Sequence, residues 1–254
     1  MKIFKKILPV IILATCIHIN AQKGMVVGNE IGIYLGPTFM QTDYGEANNF
    51  KSSVNNGGFG YGIAYIADFS NSKFNSKLFS FISKRLKTRI EFSYSKTLFE
   101  YDGAPVENPN NPEYKNFKAM KGKTKLYNFG AFSEIYFLSL KHSSKFQPYF
   151  ITGISYSIAN PSLKTTEALP SAFTPENENV FLEQQNVVSF SSGLGLRYKL
   201  NTIDFLIESR FNSFFSDRIE GLDSNVTADN NNDTQVIFNI GIVFHLNNKK
   251  KNLY

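Results

Sequence analysis

The alternation of side chains along this chain predicts an all-β fold: an eight-stranded antiparallel transmembrane β-barrel of the outer-membrane type, with long external loops. Three observations predict it. The N-terminus reads as an export signal, eight segments alternate with period two between a large apolar face and a small or ionic one, and long and short connections follow one another along the chain.

Lys2, Lys5 and Lys6 form a positive n-region, and the apolar run from Ile7 to Ile19 is too short for a stable transmembrane anchor. Asn20-Ala21-Gln22 offers a small residue to a signal peptidase. The expected organisation is a signal peptide over 1–21, a barrel over 22–246 and a basic periplasmic tail over 247–254. A second reading stays open: Leu13-Ala14-Thr15-Cys16 resembles a lipobox, with Thr15 a poor fit to its usual small residue. Cleavage after Ala21 would remove the single cysteine, leaving no thiol for disulfides, zinc sites or nucleophiles.

The net charge of +6 comes largely from the ends, because Lys249, Lys250 and Lys251 add to the three lysines of the signal. The body between them is near neutral and has no basic stripe, so a nucleic-acid partner is not expected. Aromatic residues are abundant, with 25 Phe, 13 Tyr and no Trp.

The elements follow in order. Residues 28–40 set Ile31, Ile33, Leu35, Pro37 and Phe39 against Glu30, Gly32 and Gly36. Residues 56–68 set Phe59, Tyr61, Ile63, Tyr65 and Ala67 against Gly58, Gly60 and Gly62. Residues 86–100 put Arg89, Glu91, Ser93 and Ser95 on one face. Residues 123–139 and 146–159 alternate less cleanly, and their faces are left unassigned. In 187–199, Val188, Phe190, Ser192, Leu194, Leu196 and Tyr198 oppose Ser189, Ser191, Gly193, Gly195 and Arg197. In 202–214, Ile203, Phe205, Ile207, Ser209 and Phe211 oppose Asp204, Glu208, Arg210 and Asn212. Residues 233–246 end the series with Val236, Phe238, Ile240, Ile242, Phe244 and Leu246 on one face.

None of the apolar faces carries a charge. A lysine or arginine facing lipid near mid-bilayer costs about 2–4 kcal/mol, so a lipid wall accounts for this. A soluble sandwich or lipocalin would reverse the arrangement, with apolar residues inside and charges outside.

With a periplasmic N-terminus, the external loops fall near 41–55, 101–122, 160–186 and 215–232, and short turns near 140–145 and 200–201. The connection 69–85 breaks the pattern. Phe74, Leu78, Phe81 and Ile82 recur at helical spacing among Lys73, Lys77, Lys84 and Arg85, which fits an interfacial amphipathic helix or an extended hairpin equally well.

The inward charges Glu30, Arg89, Glu91, Arg197, Asp204, Glu208 and Arg210, with Glu134, are expected to pair inside the lumen. A barrel of eight strands is only wide enough for its side chains to fill, and isolated ions there would be costly. An ion path is the functional alternative. Catalysis is not expected. His142 in a turn and His245 at a strand end accompany no recognisable nucleophile motif. No cofactor and no metal are expected: Asp229-Asn-Asn-Asn-Asp233 alternates oxygen ligands but lacks the Gly and bidentate Glu of a calcium loop. It reads as a solvated external loop.

The last strand, Asn239-Ile-Gly241-Ile-Val-Phe244-His-Leu246, resembles the β-signal by which barrel-assembly machinery recognises its clients. Four further stretches lie in matching order with a known family: Glu30-Ile-Gly32-Ile-Tyr-Leu-Gly36-Pro37 leading into Thr42-Asp43-Tyr44-Gly45, then Pro148-Tyr149-Phe150-Ile-Thr-Gly153, then Gly193-Leu-Gly195-Leu-Arg-Tyr198, then Phe214-Phe-Ser-Asp217-Arg-Ile-Glu-Gly221-Leu-Asp223. Together they resemble the small Bacteroidota outer-membrane barrels similar to the PorG-type barrel of type IX secretion and gliding. The resemblance implies an outer-membrane anchor surrounded by lipid that contacts periplasmic secretion-machinery proteins. It gives Asp43, Tyr44, Gly45, Asp217, Gly221 and Asp223 the role of pinning the external rim. A surface-exposed adhesin or receptor using the long loops is the alternative, and a narrow channel a third.

Overall fold

The structure is a computed structural model and describes residues 26–44, 55–102, 104–173, 180–222 and 232–246. The export signal with Cys16, the basic tail, Gly45, Asp223 and Asp229–Asn231 lie outside the described residues.

Eight strands form one closed antiparallel meander: β1 (Gly28–Gln41), β2 (Gly57–Asp68), β3 (Leu86–Glu100), β4 (Lys121–Tyr136), β5 (Phe146–Lys164), β6 (Gln185–Lys199), β7 (Ile203–Phe214) and β8 (Thr234–His245). Among the described residues, three short α-helices sit in the connections, α1 (Lys77–Ser83), α2 (Ala104–Glu107) and α3 (Tyr114–Ala119), with a 3-10 turn over Ser171–Phe173. Closure comes from β1 pairing with β8, where Ile33 faces Ile242 and Leu35 faces Ile240. A closed sheet leaves no edge, the condition for strands to cross a bilayer. No helix among the described residues is long and apolar enough to cross a membrane.

The two faces of each strand meet opposite surroundings. Phe59, Tyr61, Ile63, Phe129, Ile154, Leu194, Ile207 and Ile240 are exposed on the outside. Glu30, Arg89, Glu91, Glu134, Arg197, Asp204, Glu208 and Arg210 are buried inside. Water as the outer solvent would reverse that choice; a hydrocarbon solvent explains it. Neighbouring aromatics lock the wall across strands: Tyr94 lies 5.4 Å from Tyr61 and 5.1 Å from Tyr127, ring centre to ring centre. Such pairs contribute about 0.5–1.5 kcal/mol each beyond the area they bury.

Several sequence expectations are corrected. The expected strand 146–159 continues to Lys164 and 187–199 begins at Gln185, so the loop 160–186 is shorter at both ends. The expected strand 123–139 runs instead over Lys121–Tyr136. Of the two readings of 69–85, the helix is the one present, as α1.

The faces of β4 and β5 are now assigned. Leu126, Phe132, Glu134, Tyr136, Tyr149 and Ile151 point inward, whereas Lys121 and Lys125 of β4 point outward. Large rings inside and lysines outside near the long-loop end blur the periodicity that is clean elsewhere. The inner wall is therefore not simply small and polar: glycines make room for rings. A Cβ on Gly62 would overlap the ring of Tyr34, and one on Gly195 would overlap that of Tyr149.

Candidate functional site

The lumen holds three levels between the short turns and the long loops. The lowest is ionic. Arg197 donates from Nη1 to Glu30 Oε2 at 2.7 Å and from Nη2 to Glu134 Oε2 at 2.8 Å. Arg89 donates to Glu208 Oε2 at 2.8 Å and lies 2.7 Å from Glu91. Arg210 grips Glu91 with both terminal nitrogens, at 3.0 and 2.7 Å. Asp204 lies 3.9 Å from Arg197 and 3.0 Å from His245 Nε2, and His245 Nδ1 lies 3.2 Å from Glu30.

All eight charges expected in the lumen thus meet in one network, which Glu134 joins by contacting both Arg197 and, at 3.4 Å, Arg89. Sequence reasoning missed several members. Lys87 joins Glu30 to Asp68 of β2, Tyr149 donates to Glu208 at 2.9 Å, and Tyr136 donates to Glu134 at 2.7 Å. Lys87 stands two residues before Arg89 on the same face, so extending the period by one step would have found it. With Asn239 donating to Glu208 from β8, every strand contributes a polar group. Arg89 and Arg210 also stack on the rings of Tyr34 and Phe132, each 4.8 Å from ring centre. The space among Gly32, Tyr34, Ala64, Arg89, Leu206 and Val243 has no room for a water molecule.

Above this layer, hydroxyls and amides bridge the strands: Ser155 to Ser189 at 2.6 Å, and Asn212 to Gln235 at 3.1 Å. The top is apolar. Met40, Phe99, Leu126 and Phe214 from the strands pack with Tyr44, Phe117, Phe173, Ile219 and Leu222 from the loops. Val180 and Leu222 join two loops by an isolated bridge.

The rim residues divide. Asp43 donates its backbone N–H to Glu220 Oε1 at 2.9 Å, and Tyr44 stacks on Phe99 at 5.2 Å over Gly122. Gly221 adopts φ +90°, where a side chain would be strained, and brings the loop against Pro161 and the Phe181 carbonyl. Asp217 lies in the same segment, close enough to Asp233 for their charges to interact. Asp233, expected in a solvated loop, is instead buried and accepts the Ile219 N–H at 2.9 Å. Glu220, also fully buried, had no periodic signal in the loop to reveal it.

The buried carboxyls of Glu220 and Asp233 lie close enough to interact, with Asp43 and Asp217 nearby. Burial, then the charge of Asp233, pushes the Glu220 carboxyl well above the usual range. Burial likewise raises Asp233 to about 8, with Asp217 and Asp43 adding to the shift. The folded cap therefore holds protons that the unfolded loop would release at lower pH. Its contribution is complete below the unfolded carboxyl pKa and is lost as pH rises through about 8. Amide exchange corrected for intrinsic base catalysis should show Asp43 and Ile219 protected at pH 6 and losing protection above pH 8. Glu220→Gln with Asp233→Asn should abolish that dependence; an unchanged profile in the wild type would refute the raised carboxyls.

At the short-turn end the lumen opens into a polar vestibule of about 460 Å³, lined by Asp68, Lys87, Lys141, Lys199, Asp204 and His245 among others. His142 lies exposed in the adjoining turn, its Nδ1 accepting from the Ser144 N–H at 3.1 Å. Both ring nitrogens of His245 face carboxylates, which leaves neither for a serine nucleophile. Among the described residues, no group of His, Cys, Asp and Glu is arranged to hold a metal.

The assembly motif falls on the closing strand. Asn239 points inward and Phe244 outward, Gly241 packs against Tyr34 and the Ile33 carbonyl, and Leu246 lies exposed just past the strand end.

Among solved structures, a major outer membrane protein of Thermus thermophilus superposes with a TM-score of 0.51 at 10% identity, over 87% of this chain and 99% of that one. This chain has the fold of a small outer-membrane barrel. Neisserial surface protein A is also similar, with a TM-score of 0.45 at 14% identity, over 85% of this chain and 96% of that one. So is the attachment invasion locus protein of Yersinia pestis, at 0.41 and 14%, over 87% of this chain and 100% of that one. No protein-family model and no curated protein matches the chain.

Proposed function

We propose that this chain is an outer-membrane barrel of a Gram-negative bacterium that serves as a structural or anchoring component of an envelope assembly, type IX protein secretion or gliding in particular. The observation that carries this reading is the doubly closed lumen, with an ionic layer below and an apolar loop cap above. A body filled in this way offers its surfaces rather than an interior path. The charged vestibule at the short-turn end gives a periplasmic partner a polar surface on which to seat. The sequence resemblance to PorG-type barrels supplies the identity of the assembly, an argument by analogy. Its other partners are the outer-membrane lipid around the wall and, during biogenesis, barrel-assembly machinery reading Asn239 to Leu246. No catalytic role and no cofactor are proposed.

A second reading, an adhesin or receptor, is favoured by the external loops themselves. Phe117, Phe173, Ile219 and Leu222 pack them into a cap that would present a fixed surface.

The test is a mild-detergent pull-down of the tagged full-length protein from native outer membranes, with partners identified by mass spectrometry. Recovery of periplasmic ring or translocon components, together with loss of secreted cargo on deletion, is the expected result. A solitary heat-modifiable barrel would keep the fold and remove the assembly role, and steady single-channel conductance would make the protein a pore.

A further inference from the structure

The connection between β2 and β3 carries a helix whose amphipathicity is reversed. Leu78, Phe79, Phe81 and Ile82 of α1 share one broad face and are all exposed, by 38–63%. The opposite side turns hydroxyls toward the protein: Ser83 is buried and Ser80 half-buried, and Ser83 donates to the Ser80 carbonyl at 3.2 Å. A helix seated on a protein in water does the opposite. The same inversion marks the barrel wall, where the solvent is hydrocarbon.

The helix is tied to that wall. The Arg85 carbonyl accepts the Tyr136 N–H and the Lys84 carbonyl accepts the Leu140 N–H, both at 2.7 Å. These bonds hold the end of α1 beside the termini of β3 and β4, where Ile135 and Phe137 continue the exposed apolar belt. The charges suit a lipid border as well. Residues 69–86 include Lys73, Lys77, Lys84 and Arg85 and no carboxylate. Lys73, Lys77 and Lys84 are exposed, and the Arg85 guanidinium lies 4.2 Å over the Phe81 ring, an apolar stem with its charge at the edge.

We infer that α1 is a membrane-surface anchor: its Leu78–Ile82 face enters the acyl region of the leaflet at the short-turn end, while Lys73, Lys77, Lys84 and Arg85 bind anionic phospholipid headgroups. The inference rests on the membrane-barrel reading. It gives the barrel a fixed depth and rotation at the end where an envelope partner would dock.

The chain has no tryptophan, so Phe79→Trp introduces a single reporter. Phe238→Trp, on the exposed wall of β8, is the reference for lipid contact. Each full-length variant is reconstituted in vesicles of phosphatidylcholine, with or without phosphatidylglycerol, containing acyl-brominated lipid. Phe79→Trp should emit to the blue of an indole in water and be quenched as strongly as Phe238→Trp. The quenching should increase with phosphatidylglycerol, and Lys77→Gln with Lys84→Gln and Arg85→Gln should remove the increase. Water-like, unquenched emission from Phe79→Trp beside a quenched Phe238→Trp would overturn the anchor and leave the face to a protein partner. Quenching that ignores phosphatidylglycerol would overturn the headgroup assignment. If neither tryptophan is quenched, the membrane-barrel reading itself fails.

Discussion

Arg197→Met should lower the unfolding free energy of the barrel by about 3–5 kcal/mol, the range for removing one partner of a buried ion pair. Arg197 is 1% exposed and reaches from β6 to Glu30 on β1 and Glu134 on β4, so it joins strands that are not neighbours in the sheet. Methionine fills much of the volume but supplies no donor. Glu30 keeps Lys87, whereas Glu134 keeps only Tyr136 and a longer contact to Arg89 at 3.4 Å. The strain therefore concentrates on Glu134, and adding Glu134→Gln should restore a large part of the loss. Urea unfolding in lipid vesicles, followed by the gel shift between folded and heated forms, measures both variants and their coupling. A single variant within about 1 kcal/mol of wild type would mean that water or rearrangement already compensates these charges.

Gly36→Val should prevent stable closure altogether, lowering stability by about 3 kcal/mol or more. Gly36 faces the lumen on β1 at the seam with β8. There the ladder pairs Leu35 with Ile240 and resumes at Thr38 with Ile237, across Gly36 and Pro37. Proline has no N–H to give to the ladder, and the backbone comes so close that a Cβ on Gly36 would overlap the Phe238 carbonyl. A side chain there must push β1 from β8, exposing unpaired backbone groups to lipid at several kcal/mol each. Gly32→Ala is the control on the same strand and face. Its Cβ would meet Ile66 at 3.5 Å and Val243 at 3.6 Å, ordinary contacts, so it should fold normally. Loss of the heat-modifiable form in Gly36→Val with its retention in Gly32→Ala is the expected pair. Normal folding of both would show that the seam can widen without cost.

Much of this protein was legible in its sequence because a strand has only two faces. Once Ile33, Leu35 and their partners are seen to alternate with Glu30 and Gly32, strand count, inside, outside and most of the lumen charges follow from one period. The same rule failed on β4 and β5. Phe132, Tyr136 and Tyr149 point inward; Phe132 lies over Gly130 of its own strand and Gly153 of β5, whereas the Tyr149 ring lies over Gly195 of β6, a complementarity between strands. No periodicity along one strand contains it. The connection 69–85 was ambiguous because so short a segment at helical spacing fits a helix or an extended hairpin equally well; the folded chain forms the helix, and the burial of Ser83 shows which side it turns inward.

Residue type and local alternation were enough for the barrel, for the solvent outside it and for most of the charges that enter its lumen, Lys87 excepted. The folded chain alone revealed which charge meets which, that the long loops fold back as an apolar cap, and that Glu220 and Asp233 share one buried site. Those contacts join residues far apart in the chain, as Arg197 to Glu30 and Asp43 to Glu220 do, and closure of the barrel is what brings them within reach.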